Sequence, residues 1–223
     1  MLISEEFLLL VTTADGRWLA SSQAVPIALA GGLLAELAAN GRVAVDDRGR
    51  LAPASDPSPL GDPTLDRARQ TFLDMVGKKP SNVLGAVAKG LGDELYDRLA
   101  TAGIVEVQRG RFLRPNRFPV RESTIRQRVW DDVAAVLAGR TAPDLRTATL
   151  LGLAHAAGAV PVIFPPDQFG IGVGKRDIIR RAERAAQGDW ASGAVGRAVH
   201  DAQAATMAAV TAAVTAATTA TLS

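Results

Sequence analysis

Residues 26–40, PIALAGGLLAELAAN, constrain the fold more than any other stretch, because only a glutamate and an asparagine among them are strongly polar. A helix that is apolar on every side is buried, so this segment predicts a central helix. Pro26 suits the first turn of a helix, and the pair Gly31 and Gly32 allows another helix to approach closely. We expect the rest of the chain to pack around this helix, with a second buried helix at 150–160 as its neighbour.

The length and composition favour one domain. The chain has 223 residues, of which 48% are hydrophobic, and this is enough to build a sizeable core. We therefore predict a single domain over residues 1–223, with a tail from about 215 that frays. The absence of cysteine excludes disulfides and thiolate metal sites, and fits a reducing compartment. Glu5 and Glu6 stand where a secretory signal would be basic, so a cytoplasmic protein is expected.

A helix followed by a hairpin is predicted twice. Residues 42–51, RVAVDDRGRL, place alternating valines before an Asp-Arg-Gly turn, which indicates a hairpin. When Gly41 is set against Gly103, Leu37 falls on Leu99 and the two valines that follow each glycine also coincide. The sequence IVEVQRGRFLRP after the second glycine therefore predicts a second hairpin of the same kind.

The remaining segments mostly predict helices. Residues 7–13 fit a short strand or a short helix equally well, and residues 52–63, with four prolines, predict an exposed loop. The fold class that follows is mainly α, a single-domain helical bundle around buried central helices, with short β-hairpins on the surface. Further helices are predicted at 63–77, 81–90, 93–102, 125–139, from Asp144 through residue 155, and at 175–187.

Nothing in the sequence points to catalysis. The only histidines, His155 and His200, lack the spacing of metal or nucleophile motifs, and the first is predicted to be a core residue. Asp62 and Asp66 are interpreted as a helix cap and a first-turn acid. The glycines at 170–174 before a lysine do not meet the spacing of a phosphate-binding loop. We predict no enzymatic activity, no metal and no cofactor.

Two basic features favour anionic partners. Residues 109–128 contain seven arginines against one glutamate. Arg176, Arg180 and Arg184 recur every four residues on the predicted helix at 175–187, so they share one face. A solvated face paired with acids from elsewhere is an equally weighted alternative for each feature. The seven arginines are Arg109, Arg111, Arg114, Arg117, Arg121, Arg126 and Arg128.

Six short motifs, in their order and spacing, resemble the Golgi phosphoprotein 3 family of phosphoinositide-binding proteins, which has bacterial members. The resemblance implies a mostly helical single domain with surface hairpins and no catalytic activity. It also implies binding of phosphatidylinositol 4-phosphate on membranes and tethering of a partner protein there. The motifs are SEEFLLL at 4–10, GGLLAELAANGRV at 31–43, LGDPTLDRA at 60–68, GIVEV at 103–107, IRQR at 125–128 and LAHA at 153–156.

The resemblance also implies where a lipid headgroup would bind. The family's headgroup residues, a tryptophan and three arginines, align with Ser21, Ala30, Lys89 and Gly92, so only Lys89 keeps a positive charge. Losing guanidinium groups removes charge-assisted bonds of about 1.5 to 3 kcal/mol each. Trp18 and Lys89 are expected to form a simpler anionic site, and the predicted lipid-binding set is completed by the hairpin arginines Arg109, Arg111 and Arg114.

Three functions follow, in order of preference. The first is a non-enzymatic peripheral membrane protein at the inner membrane face, which binds an anionic lipid headgroup and tethers a membrane-associated protein. The second is nucleic-acid binding by a winged-helix-like unit made of the helix before Gly103 and its arginine-rich hairpin. It is disfavoured because Asp93, Glu94 and Asp97 would repel phosphate. The third is a cytosolic scaffold that self-associates through hairpin edges, with the lipid site lost.

Overall fold

The computed structural model describes residues 1–54, 56, 58–108, 117–121, 123–187, 204 and 206–210. They form a mainly helical single domain with one small antiparallel hairpin, as predicted. Two short 3-10 turns, Pro80–Asn82 and Pro166–Phe169, join helices. The strands are β1 (Ala44–Val45) and β2 (Leu51–Ala52). The helices are α1 (Ile3–Val11), α2 (Ala24–Ala39), α3 (Pro63–Leu73), α4 (Leu84–Ala88), α5 (Leu91–Thr101), α6 (Ser123–Leu137), α7 (Leu145–Ala156), α8 (Val160–Ile163) and α9 (Lys175–Gln187).

The predicted central helix is α2, which packs against α1, α4 and α7. Its glycines are approached closely, because a Cβ atom on Gly32 would lie 2.6 Å from Oγ of Ser4 in α1 and 3.3 Å from a methyl of Leu153 in α7. A Cβ atom on Gly31 would lie 2.2 Å from Cγ2 of Thr206. The predictions of a buried central helix, of close approach at the glycine pair and of α7 as a neighbour are confirmed.

The N-terminal segment is a helix, α1, and all nine of its residues are buried. The sequence did not decide between a strand and a helix at residues 7–13, because a segment that is buried on every side shows no hydrophobic periodicity. Two carboxylates are buried with it and each meets a guanidinium, as buried charges require. Glu5 is 2.7 Å from Nε of Arg98, and Glu6 is 2.6 Å from Nε of Arg146.

The two helix ends that the repeat predicted have the same geometry. Gly41 and Gly103 adopt positive φ angles of 65° and 74°. The N–H after each glycine donates to the carbonyl five residues earlier, from Arg42 to Leu37 and from Ile104 to Leu99, at 2.9 Å in both cases. This is the left-handed glycine cap that satisfies the last carbonyls of a helix. The sequence alignment of the two units is therefore confirmed at the helix ends.

Among the described residues, the first of the two predicted hairpins forms a pair of strands. In β1 and β2, Ala44 pairs with Ala52 and Val45 pairs with Leu51. In the second unit the described residues make two isolated antiparallel bridges, at Val105 with Val120 and at Gln108 with Arg117. Residues 109–116 between them lie outside the described part of the chain. The predicted fold had several hairpins. The described residues form one hairpin, and in the second unit they form two chain segments joined by isolated bridges.

Most predicted helices are present with shifted ends. α3 ends at Leu73 instead of 77, and the segment 81–90 is divided between a 3-10 turn and the short helix α4. Asp62 caps α3 by accepting the N–H groups of Thr64 and Leu65, at 2.9 and 3.1 Å, as the capping interpretation required. Helices α6, α7 and α9 match their predictions, and the predicted fraying from 215 falls outside the described residues.

Candidate functional site

A crevice opens where the turn after α1 meets the start of α5. Thr12 and Trp18 form an antiparallel bridge across this turn. At the base of the turn Gly16, with a φ of 78°, packs so close to residue 118 that a Cβ atom on it would lie 2.3 Å from the backbone nitrogen of Phe118. The cavity has a volume of about 480 Å³. Its lining residues are Gly16, Arg17, Trp18, Ala20, Ser22, Asp93, Tyr96, Arg117 and Phe118.

The aromatic wall of the crevice is held by a chain of hydrogen bonds. The hydroxyl of Thr12 donates to the carbonyl of Leu8 at 2.6 Å, so the hydroxyl of Tyr96, 2.7 Å away, donates to Thr12. The same Tyr96 oxygen accepts the indole N–H of Trp18 at 2.8 Å. Tyr96 also stacks on Phe118, with ring centroids 3.8 Å apart. Burial raises the pKa of Tyr96, so the phenol stays neutral and the wall is rigid.

Charges of both signs border the crevice. Arg17 is 2.7 Å and Arg117 is 3.9 Å from the same carboxylate, that of Asp15. A hydrogen bond from Thr13, helped by Arg17, lowers the pKa of Asp15. Asp93 contributes a second carboxylate to the lining. Because the two arginines are offset by two acids, the crevice is amphipathic and not strongly cationic.

The described residues contain no group of three or more His, Cys, Asp or Glu side chains that could hold a metal ion. His155 is half-buried in the last turn of α7, so the prediction that it is a core residue was wrong. At that position the imidazole interacts favourably with the helix dipole. His200 lies outside the described residues.

A family model for Golgi phosphoprotein 3 (GPP34) matches residues 3–202. The chain belongs to the Golgi phosphoprotein 3 family. A comparison with curated proteins finds no significant match. Golgi phosphoprotein 3 proteins are non-enzymatic and associate peripherally with membranes, so the prediction of a non-enzymatic protein is confirmed by family membership. No helix among the described residues has the length and apolar character needed to cross a membrane.

Of the four positions that the family resemblance aligned with headgroup residues, Ser21 and Gly92 adjoin the lining of the crevice. Ser21 is exposed between two lining residues, and Gly92 would place a Cβ atom 3.4 Å from the Trp18 ring. Lys89 is exposed at the end of α4, three residues before Gly92. Ala30 is 0% exposed inside α2, so its side chain lines no surface.

The arginines of 109–128 that the structure describes lie in different surroundings. Arg121 is 3.1 Å from Glu106, and Arg117 faces Asp15 in the crevice. Arg126 donates to the carbonyl of Leu9 at 3.1 Å, at the end of α1, and burial lowers its pKa. The predicted lipid-binding residues Arg109, Arg111 and Arg114 lie outside the described residues.

Of the residues that line the crevice, sequence reasoning named Trp18 as a lipid-binding residue and missed most of the others. Tyr96 and Phe118 are its buried wall, and Arg17 and Asp93 are on its rim. A signal for Tyr96 existed, because it is the only tyrosine in the chain and stands four residues after Gly92, on the same face of α5. No local pattern brings Phe118 to it, since the two residues are joined only by tertiary folding.

Proposed function

We propose that this protein binds the phosphorylated headgroup of an anionic lipid, phosphatidylinositol 4-phosphate in the first instance, in the crevice beside Trp18. One observation carries the proposal. Two of the four positions that align with headgroup residues of the family adjoin the lining of the crevice, Ser21 between Ala20 and Ser22 and Gly92 against the Trp18 ring, and Lys89 stands three residues before Gly92. Family membership supports the same role. The protein would act as a peripheral protein on a cytoplasmic membrane face, where it would tether a partner protein.

The residues of the crevice suit a phosphorylated ring better than a bare phosphate. The indole of Trp18 offers an apolar surface for one face of an inositol, and tryptophan is favoured at the headgroup level of a membrane. Lys89 would supply the main positive charge for phosphate, since Arg17 and Arg117 face Asp15. Asp93, which lines the crevice, would accept a hydrogen bond from a ring hydroxyl, an interaction that inorganic phosphate does not need.

Gly92 is one of the positions where this chain departs from the arginine-rich pattern of the family. The Trp18 ring lies against Gly92, and a Cβ atom there would be in ordinary van der Waals contact with the ring, at 3.4 Å. We propose that, without an arginine at this position, Lys89 provides the main charge.

Vesicle flotation of the full chain tests the proposal. Vesicles with phosphatidylinositol 4-phosphate are compared with vesicles of equal charge made with phosphatidylserine and with neutral vesicles. Lys89→Gln is expected to weaken binding to the first by at least about tenfold, the value of one charge-assisted hydrogen bond. Lys79→Gln is the matched control, because Lys79 is exposed elsewhere. Equal effects of the two substitutions, or no preference over neutral vesicles, would reject the proposal.

The hairpin arginines are tested in the same assay. Replacement of Arg111 and Arg114 by glutamine would lower binding to both kinds of anionic vesicle if the hairpin only attracts charge. It would lower binding to phosphatidylinositol 4-phosphate alone if the hairpin borders the headgroup.

The structure favours neither alternative function. Asp93 and Asp97 are exposed on α5, the helix that a winged-helix unit would place against nucleic acid phosphates. For a self-associating scaffold, the edge of β2 is already occupied. Leu51 exchanges backbone hydrogen bonds of 2.9 and 2.8 Å with Lys78 and Gly77. A mobility shift with duplex DNA and sedimentation at several concentrations test these two predictions.

A further inference from the structure

The exposed face of α9 carries a row of arginines that the crevice does not use. Arg176, Arg180 and Arg184 lie one turn apart along this face, and all three are exposed. The opposite face is buried against the domain, so the arginines are held at fixed spacing on a packed helix. The buried residues of α9 are Ile178, Ala182 and Ala186.

Among the described residues, most of the positive charge of this arginine row is not offset by a neighbouring carboxylate. Arg180 is 2.6 Å from Asp177, and that carboxylate also accepts the N–H of Gly174 at 3.0 Å. This backbone bond, followed by the one from Arg180, lowers the pKa of Asp177. Within the described part of the chain, neither Arg176 nor Arg184 has a carboxylate oxygen within 4.0 Å. Two of the three guanidinium groups are therefore available to an anionic partner.

An aliphatic side chain projects from the turn that leads into this helix. Ile171 is fully exposed, with a relative accessibility of 109%. It stands between Gly170 and Gly172, which have positive φ angles of 121° and 82°, a conformation that favours glycine. A single exposed isoleucine is ordinary. It stands five residues before Arg176, the first arginine of the row, and interfacial membrane segments likewise combine an apolar side with basic side chains.

We propose that Ile171 and the α9 arginine row form a second docking surface, whose partner is an anionic phospholipid bilayer. Ile171 enters the boundary between headgroups and acyl chains, and the arginines bind lipid phosphates. The phosphates of a nucleic acid would pair with the arginines, but a nucleic acid offers no apolar layer in which the isoleucine side chain could be buried. This inference rests on the proposed function only in that both place the protein at a membrane. It requires neither the crevice nor a phosphoinositide.

The first test removes the arginines. Arg176→Gln, Arg180→Gln and Arg184→Gln are combined, and partition onto phosphatidylserine vesicles without phosphoinositide is measured at low salt. Each basic residue near an anionic surface contributes about fivefold, so the two arginines without an acidic partner among the described residues lead us to expect a loss of roughly twenty-five-fold. The control combines Arg48→Gln, Lys78→Gln and Lys79→Gln, three exposed cations near the hairpin. Equal losses in the two variants would overturn the proposal.

The second test follows the isoleucine directly. The chain has no cysteine, so Ile171→Cys can be labelled at one site with an environment-sensitive fluorophore. A blue shift and increased intensity are expected with anionic vesicles, and no change with duplex DNA. Thr101→Cys, exposed at the end of α5, is the labelled control and should not respond. If the fluorescence of the label at position 171 does not change with anionic vesicles, or changes only with DNA, the proposal is overturned.

The two proposals fail in different ways. If Lys89→Gln abolishes the preference for phosphatidylinositol 4-phosphate while the α9 variant matches its control, the crevice function stands and the second surface is rejected. If the α9 variant loses binding to phosphatidylserine vesicles while Lys89→Gln matches Lys79→Gln, the second surface stands and the headgroup site is rejected.

Discussion

Arg98 ties three parts of the chain together through one guanidinium group. Its Nε is 2.7 Å from Glu5 in α1, and its Nη2 is 2.9 Å from Asp62, which caps α3. The Glu5 side chain is only 7% exposed, so Arg98 meets it in a buried setting. Two of the family-like motifs, SEEFLLL and LGDPTLDRA, therefore meet at an arginine that belongs to neither of them.

Arg98→Met is expected to destabilise the protein by about 3 kcal/mol, because it leaves a buried carboxylate without its cation. Urea unfolding at pH 7 measures the change. Arg67→Met is the control, since the Arg67 side chain is 58% exposed in its ion pair with Glu94 and should cost about 1 kcal/mol or less. Similar losses for both substitutions would show that the Arg98 network is not a buried one.

Glu36 is the polar residue that interrupts the apolar central helix. It accepts the N–H of Ile3 at 2.9 Å, and burial raises its pKa above the ordinary value of 4.5. Because the folded pKa is the higher one, the stabilisation from protonated Glu36 is complete below the unfolded pKa and is lost as the pH rises through the folded pKa.

Glu36→Gln keeps an oxygen for Ile3 and removes the titration. Relative to wild type, the variant is expected to gain stability between pH 4 and pH 7. Glu36→Ala should be destabilised by about 1 to 3 kcal/mol at either pH, since the Ile3 N–H loses its acceptor. Urea unfolding at the two pH values checks both expectations, and a constant difference between wild type and Glu36→Gln would contradict the first.

Among the helices, α2 shows how missing side chains determine packing. Its two glycines face different neighbours, Gly32 toward α1 and α7 and Gly31 toward Thr206. Gly85 in α4 offers the contrast, because nothing lies within 4 Å of the Cβ atom that it would carry. The same residue type thus serves close contact in one helix and has no contact role in the other.

Gly31→Ala should destabilise the domain by about 1 to 3 kcal/mol, since the added methyl overlaps Thr206 and overpacking costs that much. Gly85→Ala should stabilise it by up to about 1 kcal/mol, the difference in helix propensity. Opposite signs in thermal or urea unfolding are the expected result. A stabilising Gly31→Ala would mean that the segment at 206–210 can move away from α2 at little cost.

On the scale of the whole molecule, the segment at 206–210 packs against the central helix, with Thr206 close to Gly31. Thr206 is 1% exposed and Val210 is fully buried, so the domain includes residues far from α2 in sequence. Exposing one buried aliphatic side chain costs about 1.5 to 3 kcal/mol.

Deletion of residues 204–223 should therefore lower the free energy of unfolding by at least about 2 kcal/mol. Deletion of 215–223 alone, the tail that the sequence predicts to fray, should leave it unchanged. Thermal unfolding of both truncated chains measures the two effects. An unchanged midpoint in the longer deletion would show that the segment does not contribute to the core.

Much of the architecture was predictable because it is local. The apolar run of α2, the aspartate caps of α3 and α7, the glycine ends at Gly41 and Gly103 and the boundaries of α9 each follow from a few neighbouring residues. The secondary structure of α1 was not predictable, because a fully buried helix and a fully buried strand have the same apolar sequence pattern.

The residues of the crevice also fall into two groups, those that the sequence indicated and those that only the structure revealed. The sequence by itself singled out Trp18 and Lys89, through the family resemblance, and determined that arginines recur on one face of α9. Only the tertiary structure decided that Tyr96 and Phe118 form a wall behind Trp18 and that Asp15 faces two arginines. Contacts between residues far apart in sequence depend on how whole helices pack, and no short window of sequence records that packing.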